Sequence, residues 1–150
     1  MKKIVITLIF AVMAAMGLYA QGNMSVGVDY NYSTKGGASG LGVQLEYEFV
    51  KNFRVAPELI YTFSSGDHGH FTNVNLNLQY VVGTGSGFEL YPMAGLAYVN
   101  GGGADNCGVN VGCGAEYGIT SGFSIYTEQT FQMVKHCTRF IPAFGVKFSF

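Results

Sequence analysis

Apolar and polar side chains alternate with a period of two residues in eight successive runs of this chain. In the first run Val26, Val28 and Tyr30 alternate with Gly27 and Asp29. A period of two places neighbouring side chains on opposite faces of a β-strand, whereas a helix repeats every 3.6 residues. Each run covers about ten to twelve residues, whereas strands of soluble proteins average about five to six. The chain is therefore predicted to be all-β.

The segments between the runs predict how the strands are connected. They are rich in Gly, Asn and Ser, which favour tight turns between antiparallel neighbours. No helical stretch or linker separates the runs, and 150 residues suffice for one domain. We therefore predict an up-and-down barrel of eight antiparallel strands. The connections form a short set at 51–52, 83–87 and 120–122, and a mostly longer, more polar set at 34–40, 64–70, 100–106 and 135–138.

The first 20 residues have the pattern of a secretory signal peptide. Lys2 and Lys3 form a short positive segment, residues 4–18 are uncharged and apolar, and Ala20 ends a small-residue cleavage site. The apolar run of about 15 residues is shorter than the roughly 20 that a membrane-spanning helix needs. We therefore expect residues 1–20 to be removed and residues 21–150 to form the barrel. Because no later apolar run is long enough for a spanning helix, any membrane crossing would have to be made by strands.

Composition indicates which face of the barrel meets a membrane. Only 11% of the residues are charged and 49% are hydrophobic, whereas charged residues make up about a quarter to a third of a typical soluble surface. Aromatic residues of the apolar parity gather at the strand ends, as in the two aromatic girdles of transmembrane barrels. The polar parity is mostly small or amide-bearing, which suits the narrow interior of an eight-stranded barrel. We therefore predict a transmembrane barrel with its apolar face in lipid.

Charged side chains follow the polar parity, away from the predicted lipid face. An Arg or Lys that faces lipid at mid-depth costs about 2–4 kcal/mol, and charges enclosed in a protein need partners. We therefore predict a charge network in the lumen, with a structural role rather than that of a proton or cation path. Its predicted members are Asp29, Glu46, Glu48, Arg54, Glu58, Glu89, Glu116, Glu128, Arg139 and Lys147.

A family resemblance rests on the signal segment, the eight runs and the closing segment 144–150. Together they resemble the small eight-stranded outer-membrane β-barrel, or porin-like, family, which includes the barrels of outer membrane protein A and outer membrane protein X. The resemblance implies a location in the outer membrane of a Gram-negative bacterium, in contact with its lipid and lipopolysaccharide. It also implies that Phe148 and Phe150 form a C-terminal assembly signal, which the barrel assembly machinery reads. We further expect a monomer.

Histidines and cysteines are the remaining candidates for site chemistry. His68, His70 and His136 lie in predicted outer loops, where imidazoles could share a zinc or copper ion. A solvated polar loop is the simpler interpretation, so we predict neither metal nor cofactor. Cys107 and Cys137 lie at the third and fourth outer loops, and an oxidising compartment leaves a disulfide between them possible.

No catalytic constellation is evident, so we predict no enzyme. Enzymes that use a nucleophile also need a base and an orienting group; His136-Cys137-Thr138 has the spacing of a lipid A deacylase pair but lacks its Ser. The formal net charge of -1 argues against nucleic acid, whose binding needs a clustered basic patch. We predict an integral outer-membrane protein with a structural or surface-interaction role. A narrow pore, a lipid A-modifying enzyme and a soluble lipocalin-like binding barrel are the alternatives.

Overall fold

The computed structural model describes residues 24–63, 70–101, 104–135 and 137–150. The predicted signal peptide, His68 and His136 lie outside these residues. Within the described ranges, no helix has the length and apolar character needed to cross a membrane.

The described chain consists almost entirely of strands, as the alternation predicted. The strands are β1 Met24–Ser33, β2 Ala38–Val50, β3 Phe53–Thr62, β4 Phe71–Tyr80, β5 Val82–Gly83, β6 Phe88–Gly101, β7 Ala104–Thr120, β8 Phe123–Val134 and β9 Cys137–Ser149. The two-residue β5 prolongs β4, because both pair with β6 in one continuous register: Gln79 lies opposite Met93 and Val82 opposite Leu90. The wall therefore has eight long strands.

Antiparallel pairing closes these strands into a barrel. Each long strand pairs with its neighbour along the chain, and β1 also pairs with β9, where Val26 lies opposite Phe148 and Tyr30 opposite Phe144. A closed ring has no edge strand, so main-chain donors and acceptors are satisfied within the wall. The predicted eight-stranded up-and-down barrel is confirmed.

The connections alternate between two ends of the barrel. The turn end carries the connections 51–52, 84–87 and 121–122 and both described termini. There Asn52 adopts a positive φ of 71°, which Asn tolerates better than most residues, and its Nδ2 donates to the Val81 carbonyl at 2.8 Å. The loop end carries the turn at 34–37 and the connections through 64–69, 102–103 and 136, which are outside the described residues.

The third loop-end connection is shorter than predicted. Strands β6 and β7 continue to Gly101 and Ala104, so most of the segment 100–106 is strand rather than loop. Asn100 and Asp105 lie opposite each other, and the Asn100 amide donates to the Asp105 carboxylate. Cross-strand side-chain pairs of this kind stabilise a hairpin, which explains why a Gly-rich segment remains paired.

The two faces of the wall differ as the alternation predicted. Leu76 on the outside is 47% exposed, whereas Asn75 and Asn77 on either side of it are 2% and 1% exposed. The polar parity thus fills the lumen and the bulky apolar parity covers the outside. Leu90 and Leu96 of β6 are likewise exposed on the outside.

The barrel lumen as candidate functional site

The centre of the ionic cluster is a fully buried lysine. Lys147 of β9 has no exposed surface, and its Nζ lies 2.7 Å from Glu46 Oε1 and 2.6 Å from Glu116 Oε2. Both carboxylates reach it across the lumen, from β2 and β7. A buried ammonium is tolerated only when it is paired, so these two acids are what allow a lysine at this position.

Arg54 of β3 extends the cluster toward the turn end. Its Nη2 donates to Glu89 Oε2 at 2.6 Å and its Nη1 to Glu116 Oε2 at 3.1 Å. Glu46 and Glu48 lie farther away, at 3.6 and 3.7 Å. Glu116 therefore bridges the two cations, since the same oxygen contacts both. This arrangement joins five strands through two positive and four negative groups.

Two tyrosines occupy the lumen beside this cluster. Tyr91 is fully buried and Tyr126 nearly so. Their hydroxyls donate to Glu128 Oε1 at 2.9 Å and to Asp29 Oδ2 at 3.0 Å. The Lys147 Nζ lies 5.5 Å from the Tyr91 ring centre and 4.8 Å from the Tyr126 ring centre, within the range of cation–π attraction. The rings thus fill the cross-section next to the cation.

Glycines on the neighbouring strands leave room for the two rings. A Cβ added at Gly114 would overlap the Tyr91 ring, and a Cβ added at Gly145 would lie 2.7 Å from Tyr126 Cε1. Gly114 belongs to the polar parity, whose small residues were predicted to suit a narrow lumen. The structure identifies Tyr91 as the occupant of that space.

We expect Gly114→Ala to lower the free energy of unfolding by about 1–3 kcal/mol, the range for overpacking a tightly filled interior. Gly118→Ala on the same strand is the matched control, because its added Cβ would lie no closer than 3.7 Å to its neighbours. Urea unfolding of vesicle-inserted protein, read by unboiled gel migration, measures both variants. Equal stabilities would contradict the tight contact between position 114 and Tyr91.

The middle of the lumen holds three acids that make no ion pair with the described Lys and Arg residues. Instead they accept hydrogen bonds from neutral donors. Glu128 Oε1 accepts from the amides of Gln44 and Gln79 at 3.3 and 3.4 Å, in addition to the Tyr91 hydroxyl. Neutral donors satisfy the carboxylate oxygens without neutralising their charge. The other two acids are Glu58, which accepts from Asn75 at 2.9 Å, and Asp29, which accepts from Asn31 at 3.0 Å.

Arg139, the tenth predicted member of the network, is separate from the rest. It lies toward the loop end, mostly buried, with its guanidinium carbon 5.0 Å from the centre of the Phe71 ring. The structure thus brings six of the ten predicted residues into one cluster: Glu46, Glu48, Arg54, Glu89, Glu116 and Lys147. Sequence reasoning did not include Tyr91 or Tyr126 in the network; for Tyr126 the available signal was its position on the inward parity.

A cavity of about 440 Å³ lies at the turn end of the lumen. Its lining includes Glu46, Glu48, Arg54 and Glu89, but not Tyr91, Tyr126 or Glu128. The open space therefore does not extend into the middle of the barrel. There the side chains fill the lumen, as expected for an eight-stranded barrel.

The disulfide left possible by the sequence is absent: Cys107, Cys113 and Cys137 are all free. Cys107 lies on the outward parity of β7 and Cys137 on the inward parity of β9, with β8 between them. Strands spaced about 4.8 Å apart put next-but-one neighbours beyond the Cα–Cα range of a disulfide, roughly 4.4–6.8 Å. The interpretation failed because it placed both residues in loops rather than in the wall.

The remaining predicted site residues lie at the two ends of the barrel. The exposed His70 has its ring centre 6.0 Å from that of Tyr61, and the described residues contain no group of three or more His, Cys, Asp or Glu placed to hold a metal. Phe148 lies on the outside with its ring centre 5.1 Å from that of Phe123. Phe150 is 75% exposed and its main-chain N–H donates to the Met24 carbonyl at 3.0 Å. Recognition of these two phenylalanines by the assembly machinery stays a prediction.

Comparison with known proteins identifies the fold. No family model and no curated protein sequence matches this chain. The N-terminal β-barrel domain of Pseudomonas aeruginosa OprF superposes with a TM-score of 0.73 at 21% identity, over 87% of this chain and 98% of that one. Neisserial surface protein A gives 0.64 at 18%, over 85% and 96%, and the attachment invasion locus protein Ail of Yersinia pestis gives 0.59 at 17%, over 86% and 99%. The fold is that of the small eight-stranded outer-membrane barrels.

Proposed function

We propose that this protein is an integral barrel of a bacterial outer membrane, with a sealed lumen and a structural or surface-interaction role. The observation that carries the proposal is that apolar side chains cover the outside of the barrel while charged ones lie inside, the opposite of a soluble protein. Large apolar side chains such as Leu41, Leu59 and Leu76 are exposed on the outside, while Lys147 and Glu46 are buried inside. An apolar outer face of this extent is costly in water and favourable in lipid.

Aromatic pairs at both ends of the outer face support the proposed membrane position. At the turn end the ring centres of Phe53 and Tyr80 lie 4.9 Å apart. At the loop end those of Phe131 and Phe140 lie 4.8 Å apart. Aromatic rings concentrate where a barrel meets the two membrane–water interfaces. The apolar band between the two sets is the proposed hydrocarbon-facing zone.

The filled lumen favours a sealed barrel over the soluble and porous alternatives. A lipocalin-like protein needs an enclosed, largely apolar cavity for its ligand, whereas Lys147, Glu128 and the two tyrosines occupy the middle of this lumen. The lining of the turn-end cavity includes neither tyrosine nor Glu128, which supports a lumen closed to water. OprF, Neisserial surface protein A and Ail share this fold at identities of 17–21%. They support the proposal through the fold alone.

Fractionation of cells that express the full chain tests the proposal. We expect recovery in the outer membrane, resistance to a carbonate wash, and gel migration that changes on boiling. A soluble periplasmic protein carried through the same wash is the control. Release into the soluble fraction would overturn the membrane location and favour a binding barrel. In planar bilayers we expect no current steps, and steady conductance steps would replace the sealed barrel with a narrow pore.

A further inference from the structure

The lipid-facing parity carries one polar pair between the two aromatic ends. Thr127 and Gln129 point outward from the middle of β8. In the described strands, all other side chains of this parity between the aromatic ends are apolar or, at Cys113, a thiol. A polar group in the hydrocarbon zone is costly unless its hydrogen bonds are made. Gln129 therefore needs an explanation that the apolar residues of this face do not.

The hydrogen bonds within the chain satisfy Thr127 but not Gln129. The Thr127 hydroxyl donates to the Ala143 carbonyl at 2.8 Å and accepts from Gln129 Nε2 at 3.3 Å. This uses one of the two amide N–H groups of Gln129. Its other N–H and its carbonyl oxygen have no partner within the described residues. Acyl chains cannot supply either a donor or an acceptor, so lipid alone leaves this amide half satisfied.

The side chains that lie opposite Gln129 on the two neighbouring strands are small, whereas Phe131 on its own strand and Phe144 opposite Thr127 are large and exposed. In the strand register Gln129 lies between Cys113 and Pro142, and Cys113 in turn lies opposite Pro92. Ala115 lies opposite Thr127 in the adjacent row. Elsewhere at this depth the wall carries larger residues such as Leu59. We call this surface the Gln129 patch: Pro92, Cys113, Ala115, Thr127, Gln129 and Pro142. Small residues allow another protein wall to approach closely in a membrane.

We propose that the Gln129 patch is the interface of a dimer with a second copy of this chain. A carboxamide has one donor face and one acceptor face, so two copies can satisfy each other reciprocally. A two-fold axis along the membrane normal would bring the same patch together at the same depth, as an isologous interface requires. The inference rests on the proposed membrane location. The sequence alone led us to expect a monomer, whereas this proposal predicts an equilibrium between monomer and dimer.

Cys113 provides a native reporter for this interface. In the variant C107S/C137S it is the remaining thiol, on the outward face and next to Gln129. Outer membranes that hold this variant are treated with copper phenanthroline or a short thiol-specific cross-linker, then run unreduced on a gel. The matched control removes all three cysteines and adds Leu59→Cys. Leu59 lies on the opposite side of the barrel, and it follows the turn-end Phe53 by six residues, as Gln129 follows Phe123. We expect Cys113 to cross-link into dimers at least tenfold faster than Cys at position 59.

Gln129→Leu in the Cys113 background tests the amide itself. Leucine suits lipid, so the barrel is expected to fold, which the heat-dependent gel shift verifies. Loss of the reciprocal hydrogen bonds should weaken dimerisation about tenfold, equivalent to about 1.4 kcal/mol. Unchanged cross-linking in this variant, or equal rates at positions 113 and 59, would overturn the dimer while leaving the membrane proposal intact. Recovery of the protein in the soluble fraction would instead overturn the membrane location and the dimer together.

Discussion

Lys147→Met is expected to lower the free energy of unfolding by about 3–5 kcal/mol, the range for removing one partner of a buried ion pair. Methionine is unbranched, apolar and one heavy atom shorter than lysine, so the change removes the charge and little volume. It leaves Glu46 and Glu116 without the cation that now lies 2.7 and 2.6 Å from their oxygens. Arg54 remains 3.1 Å from Glu116 but already pairs with Glu89. Urea unfolding in lipid vesicles, read by gel migration without boiling, measures the loss.

Two further variants separate charge from packing at this position. Adding Glu46→Gln and Glu116→Gln to Lys147→Met removes the unpaired charges and should recover a substantial part of the stability. Lys35→Met, in the exposed turn at 34–37, is the control and should remain within about 0.5 kcal/mol of the parent. A loss at position 147 no larger than that at position 35 would contradict the buried ion pair. Failure of the two glutamines to restore stability would assign the loss to packing against Tyr126 instead.

The case of Lys147 illustrates what this sequence could predict and what it could not. Parity alone assigned Lys147, Glu46 and Glu116 to the lumen, because each shares a face with small and polar neighbours. Parity says nothing about height along the barrel axis. Height depends on the strand tilt and stagger with which the barrel closes. The sequence therefore predicted which charged residues face the lumen, while their partners required the register between distant strands.

Strand β6 shows a second limit of the alternation. Both parities of β6 are apolar, so alternation could not identify Tyr91 as a lumen residue with a structural role. Its place depends on Gly114 of the neighbouring strand, whose missing side chain leaves room for the ring. The sequence indicated the free space but not the tyrosine that fills it. Their pairing follows from the register that puts them directly opposite each other.

The errors of sequence interpretation concern strand boundaries. Gly and Asn in the segment 100–106 suggested a loop, but Asn100 and Asp105 pair across a hairpin that continues almost to its tip. The same error placed Cys107 in a loop within reach of Cys137, whereas it belongs to the outer face of β7. Gly and Asn indicate that the chain reverses direction, but two paired strands can continue their backbone hydrogen bonds into such a segment. The number and facing of the strands were unaffected by this error.

Leu76→Arg is expected to lower the free energy of unfolding in vesicles by about 2–4 kcal/mol, the cost of an Arg at mid-depth on the lipid face of a barrel. Leu76 lies in the middle of β4, with half-exposed neighbours on its own face and buried amides on either side. An arginine there cannot enter the lumen without breaking the alternation. It must leave its charge in hydrocarbon or bend toward a distant interface. Unfolding in urea, read by the gel shift, measures the cost.

Val82→Arg is the matched control for this variant, because Val82 is equally exposed but lies at the turn end, in the short strand β5 that prolongs β4. An arginine near the interface costs about 0–1 kcal/mol, so the difference between the two positions reports depth in the membrane rather than loss of an apolar side chain. On a water-facing surface both substitutions would be nearly neutral, within about 0.5 kcal/mol. Equal, small effects at positions 76 and 82 would therefore contradict the lipid contact on which the proposed location depends.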